Sequence, residues 1–213
     1  MLSMYSDVVF PQNNEEEFIL MAKKLNYGSL YLAYDAKITQ HINNLVDKLN
    51  DLRDKTRFKI SLALLVKPQD ITKMQKYAEL ILCESSDKDR WVLENHKNIL
   101  LYNLEYQKRN DFIHHRNSGL NQVLCTFAHK NNIQIGISFY SLLNTSENIR
   151  PTHIGRIRQN IRLCRKYKIH QVLGSFAESI YDMRSLFDLQ SFGVILGMQP
   201  GEAKKAISLN TNL

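Results

Sequence analysis

Lys59-Ile60-Ser61-Leu62-Ala63-Leu64-Leu65-Val66 is an eight-residue run with no charge after its first position. A strand with one wet face alternates polar and apolar residues. A run that stays apolar suits a strand covered on both faces, as in a parallel sheet wrapped by helices. Similar short runs occur at Asp7–Phe10, Ser29–Tyr34, Glu79–Cys83, Ile99–Asn103, Asp111–Ile113, Gln134–Phe139 and Gln171–Gly174.

The segments between these runs have helical spacing. Glu15–Leu25 follows a candidate N-cap, Asn14, and opens with three acids, where the helix dipole favours negative charge. Its Phe18, Met21, Ala22 and Leu25 share a face. Gln40–Leu52 does the same with Ile42, Leu45, Val46, Leu49 and Leu52, and Asp70–Tyr77, Asp87–Asn95 and Leu120–Asn131 continue the alternation. After Gly174 two helices follow, Leu186–Gly197 and Gly201–Leu209, broken at Pro200-Gly201. The expectation is an α/β fold in which eight strands close into a TIM-barrel-like barrel, one domain over residues 1–213.

The composition is that of a globular protein, 44% hydrophobic and 23% charged, and 4 Pro and 8 Gly leave little for a flexible linker. Cys83, Cys125 and Cys164 are isolated, which argues against a disulfide framework or a cysteine zinc site and fits a reducing compartment. Met1–Phe10 lacks the basic start and apolar run of a signal peptide, and no apolar run approaches a membrane span. The expected protein is soluble, with no membrane contact.

Charge is the feature that points to a partner. The chain carries a net +7, and residues 111–213 hold 12 Lys and Arg against 6 acids. From Asn148 to Ala177 there is no Asp or Glu, while Arg150, Arg156, Arg158, Arg162, Arg165, Lys166 and Lys168 all fall there. A patch of one sign attracts polyanions, and Arg forks onto phosphate. Within Thr152–Tyr167, Ile154, Ile157, Ile161 and Cys164 form a core stripe. Arg158, Arg162 and Arg165 lie beside that stripe, placed to follow a phosphate backbone. A solvated face with cations near the helix C-terminus is the plainer reading; the missing acids weigh against it.

His114-His115-Arg116 follows the Asp111–Ile113 run. Adjacent strand residues point to opposite faces, so the pair is a poor metal site, and His114 and Arg116 stand as candidate RNA contacts. No HxH, HExxH, CxxC, GxGxxG or GxxxxGK[ST] pattern occurs, so no catalytic residue, metal ligand or nucleotide cofactor is assigned. Asp7 on the first strand has no histidine beside it, and Ser138 and Ser175 lack a triad. Tyr140 and Phe176 could stack on bases or equally belong to the core.

Several C-terminal segments together resemble the ribonuclease P 30-kilodalton protein subunit family, whose archaeal members are called protein component three. They are Arg116–Asn121, Ile135-Gly136-Ile137-Ser138-Phe139, the stretch from Arg158 to Lys168, Gly174-Ser175-Phe176-Ala177, Tyr181-Asp182-Met183-Arg184, Asp188-Leu189, Leu196-Gly197-Met198 and Ala203–Ser208. Order and spacing match from about residue 111 to 209. The first half fits through its strand–helix rhythm and the Asp7 strand before an acidic helix.

The resemblance implies a barrel of the metal-dependent phosphoesterase (PHP) type and a role in removing 5′ leaders from precursor tRNA. It implies that the RNA is the catalyst and holds the Mg²⁺, that the protein binds no cofactor itself, and that it pairs with the small ribonuclease P protein Pop five. A length of 213 residues suits archaeal members and hence the cytoplasm; a eukaryotic source would imply the nucleus. Arg158, Arg162, Arg165, Lys166 and Arg184 are the matching basic positions. Asp182, Arg184 and Asp188 could instead form a buried ionic network. Two rival expectations are a free-standing phosphoesterase using Asp7, His114 and Asp182, and a scaffold whose cations meet an acidic protein.

Overall fold

The computed structural model describes residues 5–37 and 42–209. Gln40 and His41 of the Gln40–Leu52 helix, and Met1–Met4, lie outside these residues. Seven strands form one parallel sheet in sequence order: β1 (Ser6–Val9), β2 (Ser29–Asp35), β3 (Lys59–Leu65), β4 (Leu80–Glu84), β5 (Leu100–Tyr102), β6 (Gln134–Ser138) and β7 (Gln171–Gly174). The run that opens this account pairs along its length with β2, from Ser29 opposite Lys59 to Asp35 opposite Leu65. Helices α1 (Glu15–Lys24), α2 (Ile42–Thr56), α3 (Ile71–Met74), α4 (Asp89–Asn95) and α5 (Gln122–Lys130) lie between successive strands. They are followed by α6 (Phe139–Leu143) and α7 (Arg150–Tyr167) before β7, and by α8 (Leu186–Ile195) and α9 (Pro200–Ala206) after it.

The strands are apolar at consecutive positions because each serves two cores. Val8, Tyr31, Ala33, Ala63, Leu82, Leu100, Tyr102, Val172 and Phe176 fill the barrel. Their neighbours, such as Val9, Leu30, Leu32, Leu62, Leu64, Leu101 and Ile135, pack outward against the helices. A seven-stranded barrel is narrow, so large residues need small ones opposite. Tyr102 and Phe176 stack with ring centres 5.2 Å apart. A side chain at Gly136 would come within 2.8 Å of the Tyr102 Cβ. Of the two readings left open for Phe176, base stacking or core, the structure gives core: it is 1% exposed.

Two sequence expectations change. Asp111–Ile113 is not an eighth strand; it is a loop segment in which Phe112 is 57% and Ile113 96% exposed. The short apolar triplet had the composition of a strand without a neighbour to pair with. The Gln134–Phe139 strand stops at Ser138, whose hydroxyl accepts the Ser141 N–H at 3.0 Å and caps the unforeseen α6.

With no eighth strand, the barrel closes directly between β1 and the segment after β7. Val9 bridges to Ala177, and the Phe10 N–H donates to the Ala177 carbonyl at 2.8 Å. Asp7 fastens this seam. Its Oδ1 accepts the backbone N–H of Ser175 at 2.7 Å and of Val8 at 2.9 Å, and its Oδ2 accepts the Ser175 hydroxyl. Gly174 leaves the room, since a Cβ there would sit 2.9 Å from Asp7 Oδ1.

Burial raises the Asp7 carboxyl from 3.8 to about 6, with the bonds from Ser175, Val8 and Tyr27 pulling the other way. The folded protein therefore holds this proton more tightly than the unfolded chain. That contribution to stability is present below about pH 4 and is lost as pH rises through about 6. Asp7→Ala strands two buried N–H groups and should cost ~2–4 kcal/mol at pH 7 in urea unfolding. Asp7→Asn keeps an acceptor oxygen, carries no charge and should cost less. Wild type should gain on the Asn variant between pH 7 and 4.5; a gap independent of pH would show that Asp7 does not titrate there.

Candidate nucleic-acid interface

In a TIM barrel, chemistry is expected at the C-terminal mouth of the strands. Here that mouth holds a cavity of about 590 Å³ whose charged lining, among the described residues, is Asp35, Glu84 and Glu178. Glu178 accepts the Tyr140 hydroxyl at 2.9 Å and Glu84 accepts the Asn103 amide at 3.0 Å. These acids do not favour phosphate in this cavity, whereas the adjoining one, which shares Asp35 and Glu84, also carries Lys37, Lys67 and Lys88. Among the described residues no three His, Cys, Asp or Glu side chains converge as a metal site would require. The Asp7, His114 and Asp182 set is therefore not assembled: Asp7 is bonded within the seam, while His114 is exposed on a loop.

The cations lie on the barrel's flank. Helix α7 starts with Pro151 in its first turn and ends at Lys168, which takes a left-handed conformation. Ile157, Ile161 and Cys164 are fully buried and fix which face points outward. Three of its arginines bind the C-terminal ends of neighbouring helices, where carbonyls carry partial negative charge. Arg150 donates to the carbonyls of Leu143 and Thr145 at 3.1 and 2.7 Å. Arg158 donates to the Ile195 carbonyl at 3.0 Å. Arg165 donates to the Gly197 carbonyl at 2.7 Å and forks onto Glu202 with two 2.6 Å bonds. The acid missing from the local sequence is thus supplied by α9. Arg162, Lys166 and Lys168 are exposed and form no ion pair among the described residues; Lys166 lies 5.5 Å from the Tyr167 ring centre.

Arg156 departs from the expected RNA contact. It is 4% exposed. It donates to the Asp111 carboxylate at 2.8 Å, to the carbonyls of Glu105 and Gln107 at 3.0 and 3.1 Å, and to that of Arg109. Its work is to anchor the loop between β5 and α5. Asp111 also takes Arg116 at 3.0 Å and the Asn117 N–H at 3.0 Å. Burial pushes the Asp111 carboxyl up, but these partners win and hold it below the usual carboxylate value.

Gln159 of α7 clasps the same loop through the N–H and carbonyl of Arg116 at 3.0 and 2.7 Å. Arg116 lies across Gly155, where a Cβ would come within 2.3 Å of its Nε. A glycine inside a helix is costly, and this close approach accounts for it. Arg184 lies elsewhere. It donates to the carbonyls of Tyr181 and Met183 and sits 5.2 Å from the Phe139 ring centre. Asp188 bonds Ser185 at the start of α8, and no ion pair joins it to Arg184 among the described residues, so the ionic network does not form.

Arg162, Lys166 and the free edge of Arg158 are exposed on α7, and Arg116 of the loop between β5 and α5 is laid across Gly155 of the same helix. Helix α8 borders it and leaves Phe187 77% and Ile195 67% exposed. Sequence periodicity placed Arg158, Arg162 and Arg165 beside the buried stripe, and of these the structure ties Arg165 to Glu202 and the Gly197 carbonyl. Periodicity missed Arg156 as an anchor and the bare side of α8, because both depend on residues distant in the chain. Arg156→Met removes the donors from the buried Glu105 carbonyl and its neighbours and should cost ~2–4 kcal/mol in urea unfolding and expose the 107–117 loop to protease. Arg162→Ala should stay within ~0.5 kcal/mol of wild type.

Comparison with known proteins agrees with this architecture. The family model described as RNase P subunit p30 matches residues 4–213. Ribonuclease P protein component 3 of Methanosarcina mazei is 36% identical over 104 residues, 47% of this chain and 44% of that protein, so this match spans less than half of the relative's length. The Methanosarcina barkeri protein of the same name is 25% identical over 207 residues, 93% of this chain and 81% of its own. The Methanothermobacter thermautotrophicus one is 23% identical over 199 residues, 89% and 78%. A chain in the cryo-EM structure of archaeal ribonuclease P with mature tRNA superposes with a TM-score of 0.79 at 22% identity, covering 94% of this chain and 86% of that one, and so has the same fold. The chain belongs to the RNase P subunit p30 family.

Proposed function

We propose that this chain is a protein subunit of ribonuclease P that binds the catalytic RNA and supports removal of the 5′ leader from precursor tRNA. The observation that carries this reading is the open cationic ridge of Arg116, Arg158, Arg162 and Lys166 beside a mouth lined by acids. Arginine and lysine on one ridge neutralise phosphates and release counterions. The chemistry belongs to the RNA, which holds the Mg²⁺. The protein binds no cofactor of its own and contributes no catalytic side chain. Arg150 and Arg165 spend donors on neighbouring carbonyls and act as struts of the ridge, while Lys168 and His114 extend it.

A small ribonuclease P protein, the Pop five homologue, is the proposed protein partner. Support comes from the bare apolar side of α8, with Phe187, Val194 and Ile195 exposed together. Large apolar side chains exposed side by side on a helix mark a surface that a partner covers. No helix of the described residues is long and apolar enough to cross a membrane. With archaeal relatives, the proposed location is the cytoplasm.

Reconstitution tests the assignment. Adding this chain to the RNA and the small protein at limiting Mg²⁺ should raise cleavage of precursor tRNA, and the proteins without RNA should cut nothing. Cleavage by the chain alone would overturn it. Replacing Arg158, Arg162 and Lys166 together by Ala should weaken RNA binding and flatten the slope of log K against log salt by about 2–3. An unchanged slope would remove α7 from the interface.

A further inference from the structure

Between the 107–121 loop, α5 and α7 lies a second cavity, of about 530 Å³, within the range of small-ligand sites. Its character is opposite to that of the acidic mouth. Phe112 and His115 form one wall, stacked with ring centres 4.5 Å apart and planes inclined by 24°. The hydrogen bond from the Phe112 N–H to the His115 carbonyl at 2.9 Å holds the turn that brings them together. Phe112 is 57% exposed, so the stacked pair offers an aromatic surface to incoming groups. Leu120, Leu124 and Leu163 supply apolar lining.

The polar groups at the cavity suit a nucleotide. Arg109 and Arg116 line it, and Arg116 spends only part of its fork on Asp111. The Asn117 side-chain amide has no partner among the described residues. Asn121 uses its oxygen to cap α5, accepting the Leu124 N–H at 3.0 Å, and its NH₂ makes no bond among these residues. Amides both donate and accept, as the edge of a base requires. A plain anion would need the cations alone and would leave the aromatic pair without a role. The loop is also pre-set, since Arg156, Asp111 and Gln159 fix it before any ligand arrives, which lowers the ordering cost of binding.

We propose that this cavity receives one unstacked nucleotide of the bound RNA, its base against the Phe112–His115 pair, its edge at Asn117 and Asn121, and its phosphate at Arg116 and Arg109. The proposal rests on the reading of the chain as an RNA-binding subunit. It adds a site for a base to a ridge that sees only backbone phosphate. Recognition of single-stranded RNA relies on such stacking, which is uncharged and tolerates salt.

That difference supplies the test. Binding of wild type, Phe112→Ala, Phe112→Tyr and Asn117→Ala to the cognate ribonuclease P RNA is measured across a salt series, with urea unfolding as the control for fold. Phe112→Ala should weaken binding roughly 5- to 100-fold while leaving the salt slope and the unfolding midpoint unchanged. Phe112→Tyr should restore most of the loss. Photocrosslinks from 4-thiouridine in the RNA should map to residues 109–121. Wild-type affinity in both Ala variants, a loss that follows the salt slope, or crosslinks confined to other segments would each overturn the site. If Phe112→Ala is silent while the Arg158, Arg162 and Lys166 triple variant is weakened, only the pocket falls. If wild type does not bind the RNA, the functional reading falls and the pocket with it.

Discussion

The carboxylate of Asp7 is the fastening on which this barrel depends. Every other junction in the sheet is a ladder between strands adjacent in sequence, joined through at least one intervening helix. The junction between first and last strands has little ladder, and its deficit of backbone bonds is met by a side chain that takes the N–H and hydroxyl of Ser175. The positions of β7, of α7 before it and of α8 after it follow from where that seam is pinned. Tyr27 reinforces it from the helix side by donating to the Arg184 carbonyl at 2.9 Å. Burying an acid is unfavourable, and the bonds it accepts from Ser175 and Val8 are what make it tolerable.

Closure with seven strands also shapes the charge map. The narrow interior is filled by Tyr102 and Phe176 over small residues, and the remaining opening is ringed by carboxylates already bonded to tyrosine or amide. The exposed cations lie instead on the flank, where α7 is long enough to carry a row of them. Several of those cations have a structural task. Arg150, Arg158 and Arg165 neutralise the carbonyl ends of α6 and α8 and thereby hold the side of the barrel in shape. Removing any of these three breaks such contacts, whereas Arg162 and Lys166 are exposed and form no ion pair among the described residues.

Strand runs such as Lys59–Val66 could be read from the sequence because burial on both faces leaves a local signature. The α7 stripe was visible for the same reason: its periodicity lies within eighteen residues. Asp111–Ile113 misled because three apolar-rich residues carry no information about whether a neighbouring strand exists. Arg156 was read as an RNA contact because its partners, 45 to 51 positions away, are invisible to local charge counting. Glu202 escaped notice for the same cause, and so an acid-free segment is less bare in space than in sequence. Asp7 stood out in the sequence as a first-strand acid with no histidine beside it, and the structure makes it a hydrogen-bond acceptor in the seam.

The seam has a consequence for how the chain comes to be folded. Asp7 and Ser175 are 168 positions apart. Each of the earlier strands can pair as soon as its neighbour has been synthesised, so a growing sheet with two bare edges accumulates behind the ribosome. Only when β7 and the turn after it have emerged can the first edge find the last. Non-local closure of this kind is slow, and unpaired edges are sticky while they wait. The nascent chain spends its longest exposure with β1 uncovered, and a single buried acid decides when that interval ends.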